Sequence, residues 1–165
     1  MFCVRIRTIK LLESADNTNG GKAVNAILNH EENSIEIKDF EHNKKRAEAG
    51  DPNNTAFILR VESAVGFVGT SRYICDIGGF RRFISELDEL FKKRIISAKL
   101  IDRSLGSYIT FKMSGRDIFI VKGMSLGSDG EHILKYEFGI ERSDIFAFTK
   151  QLREIVGEYY GISSG

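Results

Sequence analysis

The sequence predicts an α+β fold: an antiparallel sheet with a C-terminal four-strand meander and two amphipathic helices packed on one face. Three observations carry that expectation. Apolar residues recur at helical spacing from Phe80 to Phe91 and again from Ile145 to Val156. Between these stripes lie four short segments of alternating polarity. The links between those segments are short and each contains glycine. Links of that length join antiparallel neighbours, because a parallel pair needs a long crossover.

The elements follow in order. Over residues 3–12, Val4 and Ile6 oppose Arg5 and Arg7, which predicts a strand with one wet face. Residues 14–22, rich in Asn, Asp and Gly, predict a turn. Residues 23–29 and 34–40 predict a hairpin around His30–Asn33, although the first arm also suits a helical turn. Residues 41–54 carry almost no apolar side chain, hold the single proline, and predict an exposed loop. Residues 55–76 are extended, as one long strand or two shorter ones, with Phe57, Leu59 and Val61 on one face and a bulge or bend near Gly66 and Gly69.

Asp76 is placed to cap the first helix. Phe80, Phe83, Ile84, Leu87, Leu90 and Phe91 form its apolar stripe, and Lys92, Lys93 and Arg94 oppose the C-terminal dipole. Strands are then predicted over 97–101, 107–113, 117–125 and 132–140. Ser143 caps the last helix, Ile145, Phe148, Leu152, Ile155 and Val156 form its stripe, and Gly157 ends it. The whole chain, 1–165, reads as one domain with a polar loop at 41–54 and a frayed tail over 158–165.

Composition narrows the function. Twenty-four basic residues oppose twenty-three acidic ones, so no global field steers the chain to nucleic acid or membrane. No apolar run is long enough to cross a bilayer, and the first residues lack a signal peptide's pattern, so the expected location is the cytoplasm. Two cysteines, Cys3 and Cys75, are expected as buried reduced thiols, with a bridge possible only if their strands adjoin.

No catalytic constellation emerges. His30, His42 and His132 share no metal-binding spacing, and His30-Glu31-Glu32 reads as a solvated hairpin tip. The glycines of Gly66–Ser71 lack the lysine of a phosphate loop, and Gly78-Gly79 reads as a strand-to-helix turn of unusual backbone angles. Glu86, Asp88 and Glu89 form a wet helix face. Nucleic-acid binding would need exposed aromatics beside cations on one sheet face, whereas Tyr108, Phe111 and Phe119 alternate as core residues do. No catalytic residue, cofactor or metal ligand is therefore assigned.

The C-terminal half carries a D-x-x-x-F-x-x-F-x-x-x-L-x-x-L helix (Asp76 to Leu90) and a G-x-x-x-x-F-x-M-S-G-R-D-I-x-I hairpin (Gly106 to Ile120). A strand ending L-x-Y-x-F (Leu134 to Phe138) and an F-x-x-x-L-x-x-I-V helix (Phe148 to Val156) follow. In hydrophobic pattern and element order, residues 60–156 resemble the WapI-type immunity proteins of bacterial contact-dependent toxin systems. That resemblance implies a non-enzymatic inhibitor that binds a toxin domain, and it transfers no functional residue. Contacts with such a partner are expected from the polar loop, at Lys44, Lys45 and Arg46, and from the wet meander face, at Lys112, Arg116, Lys122, Lys135 and Glu137. The competing expectation is a small-ligand or nucleic-acid binding domain.

Overall fold

The computed structural model describes residues 24–160. The strand expected over 3–12, the turn over 14–22, Cys3 and the tail beyond Tyr160 lie outside the described residues. The first sheet consists of β1 (Ala26–His30), β2 (Asn33–His42), β3 (Thr55–Glu62) and β4 (Val68–Cys75), with helix α1 (Lys44–Glu48) between β2 and β3. Helix α2 (Ile77–Phe91) follows. The second sheet consists of β5 (Ser97–Ile101), β6 (Tyr108–Met113), β7 (Ile118–Leu126) and β8 (Ile133–Glu141), and helix α3 (Arg142–Tyr160) closes the chain. Every paired neighbour is antiparallel. The fold is α+β, with the order of four strands then a helix occurring twice.

Alternation makes these strands two-faced. In the first sheet Leu28, Ile35, Ile37, Phe57, Leu59, Val61 and Tyr73 turn inward, and in the second Leu100, Ile109, Phe111, Phe119, Val121 and Ile140 do so. The helices fill the space these faces enclose. Phe80 of α2 meets Phe40 and Phe57, at ring separations of 5.0 and 5.4 Å. Phe83, also on α2, reaches Phe111, which in turn stacks on Phe148 of α3. One contiguous core results, and each fully buried Leu, Ile or Phe stabilises it by about 1.5–3 kcal/mol. Cys75 belongs to this core as a free thiol whose pKa burial pushes up to about 12.

Polar groups of the second half close both edges of the first sheet. On β1, the Ile27 N–H donates to Gln151 Oε1 (2.8 Å), and Gln151 Nε2 donates to the Ile27 carbonyl (2.9 Å). On β4, the Ile74 N–H donates to Asp102 Oδ1 and the Ile74 carbonyl accepts from the Arg103 N–H, both at 2.8 Å. Asp102 is 1% exposed and also accepts from the Ser104 and Leu105 amides and the Ser104 hydroxyl. Burial alone would raise its pKa, but the donors from Ile74, Leu105 and Ser104 outweigh that and hold the carboxyl below the usual range.

Several expected details shift. The loop over 41–54 is shorter than anticipated: β2 runs to His42, and Asn43 caps α1 by accepting from the Arg46 N–H (3.0 Å). Its far end is anchored, because buried Asn54 donates to Asp76 Oδ1 and accepts from the Ile77 N–H. Asp76 caps α2 as expected. Gly78 and Gly79 keep negative φ, so they supply no unusual backbone angle. At Gly78 a Cβ would lie 2.7 Å from the Asp76 carboxylate, so the bare backbone makes room for the cap. Ser143 lies inside α3, and Asp144 does the capping by accepting from the Glu141 N–H (2.8 Å) and pairing with His30 (2.8 Å). Gly157 does not end that helix, which continues to Tyr160.

At the seam between the sheets, Tyr136 lies across β7 over Gly123, where any Cβ would collide with the phenol ring. Burial raises the pKa of both Tyr73 and Tyr136. The Tyr136 hydroxyl lies close to those of Tyr73 and Ser125. Yet these hydroxyls, like that of Ser71, have no partner of hydrogen-bonding geometry. Proximity without alignment leaves a buried polar group at a net cost.

Two outcomes follow from these contacts. Asp102→Ala, by orphaning several amides, will lower stability by about 3 kcal/mol in urea titrations at neutral pH. Because the folded pKa of Asp102 is depressed, its contribution is complete above the ordinary aspartate pKa of about 4 and fades as pH falls through the folded value. Asp102→Asn will therefore flatten the acid limb of the stability profile. Tyr136→Phe removes an unaligned hydroxyl, so its melting temperature should equal or exceed the parent's; a clear drop would reveal a bonded hydroxyl.

Candidate functional site

The outward face of the second sheet is built by the same alternation that fills the core. Lys99 on β5, Thr110 on β6, Lys122 on β7 and Glu137 on β8 stand in one row across the four strands. The neighbouring rows place Ser97, Lys112 and Ile120 on one side and Ile101, Tyr108, Met124 and Lys135 on the other. Four lysines thus rise around a partly apolar floor. Glu137 pairs with Lys122 at 3.5 Å, with both side chains more than half exposed, and Lys99 Nζ sits 4.7 Å from the Tyr108 ring centroid.

An apolar cleft adjoins this face. The β3–β4 turn exposes Val65, Phe67 and Val68 at 78%, 64% and 51%, and Gly66 there takes a φ of +83° that suits glycine. The turn leans toward β8, and a cleft of about 340 Å³ opens between Val65 and Phe67 on one side and Leu134, Lys135, Glu137 and Phe138 on the other. The approach is close, since a Cβ on Gly69 would strike the Leu134 side chain. Clustered exposed apolar groups with a polar rim are the signature of an interaction surface.

The expected contact residues are distributed unequally. Lys112, Lys122, Lys135 and Glu137 share the outward face of the second sheet. Arg116 is exposed in the β6–β7 turn, beside Asp117, whose carboxyl is held low first by a hydrogen bond from Lys93 (2.9 Å). Lys44, Lys45 and Arg46 lie on α1, between strands of the other sheet. Arg46 Nε donates to Asp51 (2.7 Å) and Lys44 approaches Glu48 at 3.9 Å, so Lys45 alone of the three lacks an ion pair among the described residues. Lys99 is absent from the contacts expected from sequence, although its alternation with Ala98 and Leu100 is a signal for it. The stretch around Gly66 and Gly69 is expected there as a bulge or bend, and nothing local marks Val65 and Phe67 as contact residues.

Other arrangements are less favoured by the geometry. Phe111 and Phe119 are fully buried, so of Tyr108, Phe111 and Phe119 only Tyr108 faces outward, with one ring face under Lys99. Three or more His, Cys, Asp or Glu groups do not converge as a metal-ligand set among the described residues, where His30 is engaged with Asp144 and His132 with Asp129. No helix among the described residues is long and apolar enough to cross a membrane.

No family model and no curated protein matches the chain. Among solved structures, the MRP1/MRP2 crystal structures of Trypanosoma brucei are similar at 10% identity and a TM-score of 0.47, over 84% of this chain and 86% of that one. A likeness of that degree does not bear on function.

Because the lysines project into solvent, replacing Lys112, Lys122 and Lys135 singly by Ala should change stability by no more than about 0.5 kcal/mol in denaturant titrations. A larger loss would assign them to the fold.

Proposed function

We propose that the chain is a non-enzymatic protein-binding module that uses the lysine-bearing face of the second sheet and the adjoining apolar cleft as its interface. The observation that carries this reading is the adjacency of exposed Val65 and Phe67 to Lys135 and Glu137 on β8. An apolar centre supplies affinity, and a charged margin supplies rate and selectivity. The four lysines against Glu137 suit a partner with an acidic surface. Given the resemblance of residues 60–156 to WapI-type immunity proteins, the partner class is a bacterial toxin domain, and the site of action is the cytoplasm.

The test is capture of partners from the native host, followed by reconstitution with the purified partner. Phe67→Asp and the triple substitution of Lys112, Lys122 and Lys135 by Glu should each weaken the complex by about 10–100-fold. The association rate of the parent should fall as salt rises. Recovery of nucleic acid in place of protein, or a complex indifferent to both variants, would overturn the reading.

A further inference from the structure

We infer that a second, separate groove, between the outer face of the first sheet and two turns of the second, binds a small phosphorylated ligand. The groove has a volume of about 640 Å³, within the range that accommodates small-molecule ligands. Its floor is set by register: Lys38, Ile58 and Arg72 lie side by side across β2, β3 and β4. The facing wall comes from the β5–β6 turn, through Leu105, and the β7–β8 region, through Leu126 and Ser128.

Two features make this more than a gap. The first is uncommitted charge. Arg60 on the same sheet face is paired with Glu62 at 2.8 Å, whereas neither Lys38 nor Arg72 forms an ion pair among the described residues. Asp39 also lines the groove, from the bulge where its φ is +51°, so the lining keeps a net positive charge. The second is a held wall. The β5–β6 turn is fastened to β4 through Asp102 and Arg103, so bonds within the chain hold it beside the strand that carries Arg72.

The chemistry of the lining selects the ligand class. Arg72 and Lys38 match a phosphate, Arg through its planar fork of donors. Thr70 and Ser128 add hydroxyl donors, while the Ser104 hydroxyl is already committed to Asp102. Leu105, Leu126 and Ile58 offer an apolar surface for a ring, and Asp39 can accept from a ligand hydroxyl or amine. A mononucleotide combines these features and serves as the probe.

The experiment is an amide NMR titration of the ¹⁵N-labelled full chain with adenosine monophosphate, adenosine and inorganic phosphate. Adenosine monophosphate should give saturable shifts at Arg72, Leu105 and Ser128, with the other two probes weaker. Lys38→Gln combined with Arg72→Gln should weaken binding by about tenfold or more, with an unchanged circular dichroism spectrum. The variant reversed at Lys112, Lys122 and Lys135 should bind as the parent does, which separates this site from the protein interface. Absence of saturation by about 10 mM, a weak regime on the affinity scale, would overturn the inference. So would shifts gathered on the lysine face, or indifference to the double substitution. Tighter binding of a single-stranded oligonucleotide at the same amides would assign the groove to nucleic acid and overturn it equally.

Discussion

The two closures of the first sheet hold the molecule together. An edge strand presents a row of unpaired amides and carbonyls, and leaving them bare invites pairing with another chain. Here the Ile27 edge is met by the Gln151 amide and the Ile74 edge by Asp102 and Arg103. Both closures come from the second half of the chain. The halves are also joined through the helices, because α2 contacts β5 and β6 while α3 contacts β1. The Arg153–Asp88 ion pair then links the two helices. Neither four-strand sheet has a complete core without the other half, which explains why an element order that occurs twice still yields one core.

This arrangement divides labour between sheet faces. Inward positions are taken by aromatic and branched side chains that make the core, and α2 and α3 are spent on that core. The outward faces are consequently free of structural duty, and differ in character. The second sheet carries lysines over an apolar floor. The first carries one mutually paired Arg–Glu couple and, farther along, the unpaired Lys38 and Arg72. A surface free of packing constraints can vary its chemistry at little cost to stability, which is why both candidate interfaces fall there.

Much of the fold was legible from period and punctuation. The span of β5 and the stripe and cap of α2 emerge as read, because strong alternation and a helical stripe report local geometry directly. The division into two sheets was not legible, since alternation says which face a residue takes and not which strand it adjoins. Five-residue α1 is too short to show periodicity. At α3, Ser143 and Asp144 are adjacent and both able to cap, and only the reach of Asp144 to the Glu141 amide decides between them. On the functional side, Lys112, Lys122, Lys135 and Glu137 were legible as a set because antiparallel register follows from short turns. The apolar cleft was not, because Phe67 and Phe138 come to line one cleft only through tertiary packing.

The edge closures also bear on how the chain is made. Synthesis proceeds from the N-terminus, so the strands of the first sheet emerge before the groups that, among the described residues, close its edges. The β4 edge waits for Asp102, and the β1 edge waits for Gln151, 124 positions after its partner. Contacts so distant in sequence form late. The nascent first half is therefore a half-finished sheet until those groups follow, and its neighbours on a polysome are identical half-finished sheets. Ribosome spacing and chaperone supply, rather than the stability of the finished molecule, would then set how much of this protein reaches its folded state.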